Sequence, residues 1–502
     1  MTFPEAFITE MDSLFETYPE TGDIQAFWRS FDAPSPAGLR ANGLKLSKTA
    51  LRNCLLETLS AIRPIAEPAP FPDVPWSCDG LYLPPGFQPG QLNHYAAGLY
   101  YIQEPSAMLP AAVLNAKPGE KILDLCAAPG GKSARIAADL QGQGLLWAND
   151  ISDKRTRALL RNLEMTGCIN SLVTCAKPRQ LAEQLPGYFD AILVDAPCSG
   201  SGMFRRDPSA MKSWMKYGPQ ISVPVQRDIL AAAWQMLRPG GRLVFATCSF
   251  SICENEENAA WLLQAFDDAR LVPLPQTEGV SQGLSLTNQT QGAARIWPHL
   301  TRGDGHFCAL FEKCLHSENK PERSVSASKQ KSLMPAEDWQ KTVFSDFVHE
   351  QLSRAGQEKV DQWLMKGWLR QEKENLHWLP DADLPLDKIR KIKTGLFLGQ
   401  TKQSGRGQAR FEPSQALLLA LGSDDFRYVF PAAPDDIKIN AYLRGETLQW
   451  TDAAEALDYP PPSAYAAVMQ QTLEGRFALG WAKQMTPPLL KNLYPQGWRR
   501  TS

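Results

Sequence analysis

The 502-residue chain has no uninterrupted apolar run near 18 residues, which excludes a membrane-spanning helix. Its ten cysteines form no CxxC pair and no regular framework. That excludes a disulfide-stapled scaffold and points to reduced thiols in the cytoplasm. No Cys/His cluster has zinc-site spacing, so no metal is expected. The opening stretch MTFPEAFITEMDSLFETYPE is acidic and lacks a basic patch followed by an apolar core, so it does not read as a signal peptide. Charge is nearly balanced, with 52 basic and 54 acidic residues, so a nucleic-acid partner would need a local basic face. GxGxxG is absent, which argues against a dinucleotide oxidoreductase, and GxxxxGK[ST] is not matched.

What is present divides into several domains, since 502 residues exceed one core. Residues 1–98 read as a small α+β module. It opens on an amphipathic helix (Phe7, Met11, Leu14, Phe15), and residues 39–46 alternate polar and apolar as in a half-buried strand. Residues 99–315 alternate strands and helices. The strands are Lys121–Leu125, Leu145–Asp150, Ser171–Cys175, Ala191–Asp195 and Arg242–Thr247, with a further one at Gly305–Phe311. Apolar runs separated by helices of this length give a doubly wound, mostly parallel α/β sheet of Rossmann-like form. Residues 316–332 are polar and Ser/Lys-rich, as in a linker; 333–394 have helical periodicity; 395–502 form a β-rich terminal domain.

In a doubly wound sheet the ligand crevice lies outside the carboxyl ends of the strands. The first such strand runs into Asp124-Leu-Cys126-Ala127-Ala128-Pro129-Gly130-Gly131-Lys132, a glycine turn that opens a helix and lets the backbone approach a ligand. The second ends in Asp150, placed to bond a ribose hydroxyl. A nucleoside-containing ligand other than a dinucleotide or a triphosphate is expected, and S-adenosylmethionine fits. Two further strands deliver Cys198, after Asp195-Ala-Pro197, and Cys248, after Thr247. The ordinary fate of one cytosolic cysteine is that of a small buried hydrophobe. Two at equivalent strand ends, one three residues after an acid, point to chemistry instead.

The stretches DLCAAPGGK, VDAPCSGSG with FRRDP, and ATCSF together resemble the Sun-type RNA cytosine-5 methyltransferases, and among them most closely the ribosomal small-subunit methyltransferase F group. Arg40-Ala-Asn42-Gly-Leu44-Lys45 resembles that family's N-terminal module. Phe411-Glu-Pro-Ser and Gly480-Trp-Ala-Lys resemble its C-terminal, PUA-like RNA-binding domain. The resemblance implies S-adenosylmethionine-dependent methylation of carbon 5 of a cytosine in small-subunit ribosomal RNA, by a cytoplasmic monomer without metal. By it Cys248 is the nucleophile toward carbon 6, Cys198 the acid/base partner that releases the adduct, and Asp195 a contact to ring N3 and the exocyclic amine. It gives the cofactor Cys126 to Lys132, Asp150 and Asp195, and assigns Cys126 and Cys253 no chemical role. One departure follows the third strand, where Cys175-Ala176-Lys177-Pro178 stands in place of the polar residue that meets adenine.

The loop Phe204-Arg205-Arg206-Asp207-Pro208, with Lys212 and Trp214, interleaves basic and aromatic residues as an RNA channel does, Arg205, Arg206 and Lys212 being the RNA-binding candidates. The run from Lys388 to Lys393 reads as a second basic face or a solvated helix. Two alternatives stand beside this reading: transfer RNA as substrate, or a non-catalytic RNA-binding assembly factor.

Overall fold

The computed structural model describes residues 2–62, 70–315, 334–380, 384, 389–403, 409–450 and 460–500. Expectations for the 316–332 linker and for Lys388 lie outside the described residues.

The N-terminal module begins with the helix Glu5–Thr17, which buries Phe7, Met11, Leu14 and Phe15. A three-stranded antiparallel sheet follows: β1 (Gly38–Ala41) lies between β2 (Gly80–Tyr82) and β3 (Tyr100–Ile102). The expected boundary at 98/99 falls inside this sheet, because β3 pairs with β1 at Leu39↔Ile102. The alternating pattern of residues 39–46 predicts a half-buried strand, yet every residue of β1 is buried. The reason is covering from a second side, where Asn42 Nδ2 donates to the carbonyls of Gly98 (2.8 Å) and Thr166 (2.9 Å), the latter on the next domain. Polar residues of β1 face protein, not solvent.

The central domain is the Rossmann-like sheet. Its parallel strands are β4 (Lys121–Asp124), β5 (Leu145–Asn149), β6 (Ser171–Thr174), β7 (Phe189–Asp195) and β8 (Leu237–Thr247), in the order β8-β7-β4-β5-β6. The chain continues through β9 (Ala269–Val272), β10 (Ser281–Gln282), β11 (Ala294–Ile296) and β12 (His306–Lys313). β12 runs antiparallel beside β8, with β11 and β10 outside it. The sheet is buried on both faces, one packed under Trp147, Phe189 and Phe245, the other under Ile122, Leu146 and Val244. Hence the strands read as continuous apolar runs. The helix Asp153–Thr166 opens with Ser152 as its cap and ends at Gly167 in the left-handed region.

The C-terminal part departs from the sequence reading. Helices Asp338–Gln351 and Arg354–Lys366 match the helical expectation, but strands Trp368–Glu372 and Asn375–Leu379 follow. Asn375–Leu379 pairs with Leu396–Gln403, so one sheet crosses the expected division at 394/395. These strands escape a periodicity reading because a two-residue turn, Lys373-Glu374, joins them with Lys373 at φ 57° and no glycine to mark it. A second sheet spans Val429–Asn492. Lys391–Thr394, whose residues 391–393 read as part of a second basic face or a solvated helix, is an edge strand antiparallel to β6 of the central sheet. Among the described residues no helix is long and apolar enough to cross a membrane.

Candidate active site

The turn after β4 is built by close approach. Asp124 is fully buried, and its Oδ2 accepts from the Ser133 hydroxyl at 2.6 Å. Burial, opposed by Ser133 and the Lys132 ammonium, pushes its carboxyl up to about 7. A Cβ at Gly131 would come 2.8 Å from the Tyr101 ring and 3.1 Å from the Gln103 amide, so only glycine admits the module's β3 here. Arg40 of β1 donates to the Gly131 carbonyl. The N-terminal module therefore braces the turn from behind. Cys126 is half-buried, and burial followed by Asp124 and Asp195 drives its thiol far toward the protonated form.

Asp150 stands at the carboxyl end of β5 with 2% of its surface exposed. Its Oδ1 accepts from the Ser152 N–H at 2.9 Å, and Arg155 lies 3.4 Å from Oδ2 while also donating to the Ala128 carbonyl of the turn. Beside it in sequence Ile151 is 68% exposed, an apolar side chain next to Asp150. Across the crevice the Ala176 N–H bonds Asn149 at 3.1 Å and Ala176 is buried, while Lys177 is exposed. The segment 175–178 brings no carboxylate or amide side chain to the crevice. A carboxylate that accepts from hydroxyls, an exposed apolar side chain beside it and a helix amino end suit a nucleoside that carries an amino acid.

Asp195 ends β7. Its Oδ2 meets Lys132 Nζ at 2.7 Å, and its Oδ1 faces His306 Nε2 at 3.6 Å, too far for a hydrogen bond. Burial opposes its ionisation, yet Lys132 and His306 hold the carboxyl below the usual carboxylate range. Burial also favours neutral imidazole at His306, whose Nε2 has no hydrogen-bond partner. Cys198 and Cys248 meet with their sulfurs 3.3 Å apart. The sulfur contact with Cys248 comes first and burial second in raising the Cys198 thiol well above its ordinary value, with Glu254 adding negative potential. Cys198 thus keeps its proton.

Three consecutive side chains after the second thiol hold the two loops together. Glu254, fully buried, accepts from five donors: Ser199 N–H (2.8 Å), the hydroxyls of Ser199, Ser222 and Ser249 (each 2.5 Å) and the Gln226 amide (3.2 Å). Asn255 bonds the Thr247 hydroxyl and the Ser249 carbonyl on either side of Cys248. Glu256 takes a bidentate pair from Arg295 at 2.7 and 2.5 Å, and Arg295 Nη1 donates to the Phe250 carbonyl. Gly202, whose Cβ would sit 2.8 Å from the Cys248 carbonyl, donates its N–H to that carbonyl at 2.9 Å. Local sequence conceals this clamp. Glu254-Asn255-Glu256 reads as the exposed acidic first turn of a helix.

The basic loop divides. Arg205 is a correction: its side chain is 7% exposed and pairs with buried Asp304 at 2.8 Å, while donating to the carbonyls of Ser30 and Gly303. It stitches the N-terminal module to the catalytic domain and has no guanidinium edge left for a phosphate. An acid 99 residues further on neutralises it, which no local reading can see. Phe204 and Trp214 are likewise buried, against Phe7 at 5.0 and 5.8 Å between ring centroids. Arg206 and Lys212 are exposed.

The arrangement of a nucleoside crevice beside paired thiols matches a known family along its length. The description 16S rRNA methyltransferase RsmB/F fits residues 111–312, which carry the turn, Asp150, Asp195 and both thiols. The N-terminal domain of 16S rRNA methyltransferase RsmF fits residues 3–105, and the RsmF first C-terminal domain residues 356–421. The chain belongs to the RsmB/F methyltransferase family. It is an S-adenosylmethionine-dependent methyltransferase. Among its relatives is the ribosomal RNA small subunit methyltransferase F of Shewanella amazonensis, 37% identical over 277 residues, 54% of this chain and 59% of that protein. The enzyme of the same name from Escherichia fergusonii is 29% identical over 98% of this chain and 96% of its own length. The structure of NSun6 from Pyrococcus horikoshii with SFG shares the fold, with a TM-score of 0.50 and 21% identity over 62% of this chain and 99% of that one.

Proposed function

We propose that this RsmB/F member methylates carbon 5 of a cytosine in small-subunit ribosomal RNA through a covalent Cys248 adduct. The observation that carries the reading is the 3.3 Å separation of the two sulfurs at the ends of adjacent strands. Carbon 5 of cytosine is a poor nucleophile until a thiolate adds to carbon 6 and shifts ring electrons toward it. Cys248 supplies that thiolate, with the Cys198 sulfur 3.3 Å away. S-adenosylmethionine supplies the methyl group as an electrophile. The proton on carbon 5 then leaves, its bonding pair restores the 5,6 double bond, and the carbon–sulfur bond breaks to return Cys248 as thiolate. Cys198 serves this second half as acid/base partner: its S–H proton passes to water as its sulfur takes up the proton leaving carbon 5.

Asp195 is ionised and therefore accepts hydrogen bonds, from the exocyclic amine and from ring N3 when that nitrogen carries a proton. Lys132 holds its carboxylate in place at 2.7 Å. Asp150 takes ribose hydroxyls, and Cys126 to Lys132 carry the amino-acid end of the methyl donor. Arg206 and Lys212 face the phosphates of the entering strand, and the sheet Val429–Asn492 acts as the PUA-like RNA-binding part. The names of the relatives support ribosomal RNA as the substrate. Methylation of small subunits, free 16S RNA and transfer RNA with labelled methyl donor, followed by mapping of the modified base, tests the reading. Label on 5-methylcytosine in 16S RNA is expected; label on transfer RNA alone would overturn the ribosomal assignment.

A further inference from the structure

The C-terminal tail walls one side of a cavity of about 470 Å3 whose lining includes neither thiol. Its floor is the helix Asp153–Thr166 at Arg161, one wall is the N-terminal module at Tyr95, and the other is Tyr494 to Arg500. Arg161 lies eight residues beyond Asp153, so the cavity sits about 12 Å along that helix from the cofactor crevice. Three arginines line it, Arg161, Arg499 and Arg500, and among the described residues no carboxylate side chain does. Arg500 is committed to structure, bonding Asn93 Oδ1 at 2.7 Å, the Leu92 carbonyl at 3.0 Å and Asn440 Oδ1 at 3.2 Å. The other two are available. Arg161 rests over the Trp498 ring, 5.4 Å from its centroid, and its buried Nε has no hydrogen-bond partner. Arg499 is exposed, and Tyr95 and Trp498 are half-buried at the cavity wall.

A concave site with unmatched guanidinium groups and aromatic surface suits a flat anion. Stacking takes the flat part and Arg the charge, the combination by which single-stranded nucleic acid is held without regard to sequence. We propose that this three-domain cavity binds one single-stranded nucleotide of the RNA, remote from the methylated base. Its base lies against Tyr95 and Trp498, and its phosphate meets Arg161 and Arg499. The assignment rests on RNA being the substrate and adds a second point of capture.

The test uses the full chain and a fluorescein-labelled ten-nucleotide single-stranded RNA. Arg161→Gln with Arg499→Gln is expected to raise Kd about tenfold and to reduce the salt-dependence slope by about 0.7, the share of one phosphate on a single strand. Cofactor Kd and kcat at saturating RNA stay unchanged, while KM for RNA rises. Trp498→Phe retains binding and Trp498→Ala loses it. In the unaltered chain, ultraviolet crosslinks from the RNA should map to Tyr95 or Trp498, a readout independent of any variant's folding. Binding and slope within twofold of the parent, crosslinks confined elsewhere, or equal displacement by polyglutamate would overturn the cavity assignment. Absence of methylation and of RNA binding in the parent would instead sink the RNA reading itself.

Discussion

Replacing Glu254 by alanine removes the acceptor that ties both thiol-bearing loops to one point. Of its five donors, the Ser199 and Ser249 hydroxyls can turn toward one another, already 3.1 Å apart, and the Ser222 hydroxyl toward the Gly218 and Pro219 carbonyls at 3.3 Å. The Gln226 amide keeps the Pro197 carbonyl at 3.0 Å. The Ser199 N–H has no such alternative and becomes a buried donor without a partner, at about 1–3 kcal/mol. The truncated side chain adds a polar void, and hydrogen bonds to a carboxylate contribute about 1.5–3 kcal/mol each before relaxation. We expect a net loss of about 3–5 kcal/mol in the stability of the catalytic domain. Glu254→Gln retains an oxygen for Ser199 and Gln226 and should lose only about 1 kcal/mol. Urea unfolding followed by tryptophan fluorescence measures both. Thiol spacing is read separately by a trivalent arsenical, which must bridge two sulfurs. Its affinity should fall in the alanine variant under conditions where that variant is folded, and persist in the glutamine variant. An alanine variant with parental stability and parental arsenical affinity would refute the clamp.

Other consequences follow from the same contacts. Arg295→Met strands Glu256 as a buried unpaired carboxylate and should destabilise the domain by about 3–5 kcal/mol in the same unfolding assay. Asp124, with its folded pKa raised to about 7, binds more protons when folded than unfolded between about pH 4 and 7, so its contribution falls as pH rises through that window. Asp124→Asn should flatten that part of the stability–pH profile; an unchanged slope would place the titration elsewhere. Arg205→Gln should lower stability by breaking the Asp304 pair, whereas Arg206→Gln should leave the unfolding midpoint unchanged and weaken RNA binding by a few-fold.

The catalytic sheet was legible because its strands are covered on both faces and therefore uniformly apolar, and because each ends in a polar cap. Cys198, Cys248, Asp195 and Asp150 sit at those caps, so strand order alone brings them to one crevice. What escaped was non-local. Arg205 looks like a free cation until Asp304 arrives from 99 residues away. Glu254 and Glu256 look like a solvated helix start until Ser199, Ser222 and Arg295 close over them. His306 lies on the antiparallel strand β12, and only pairing with β8 turns it toward Asp195. The hairpin at Lys373 is hidden because its turn uses lysine where a glycine would have signalled it. In each case the partner, not the residue, determines the role.

The division of labour between the two thiols is the centre of the account, and one gel measures it. Each variant is incubated with 16S RNA and methyl donor, then resolved under denaturing, non-reducing conditions. Cys198→Ala should accumulate a protein–RNA band that resists denaturation, and Cys248→Ala should give neither that band nor methylated RNA. A stable adduct in Cys248→Ala, or full turnover without it, would contradict the assignment of Cys248 as the attacking sulfur.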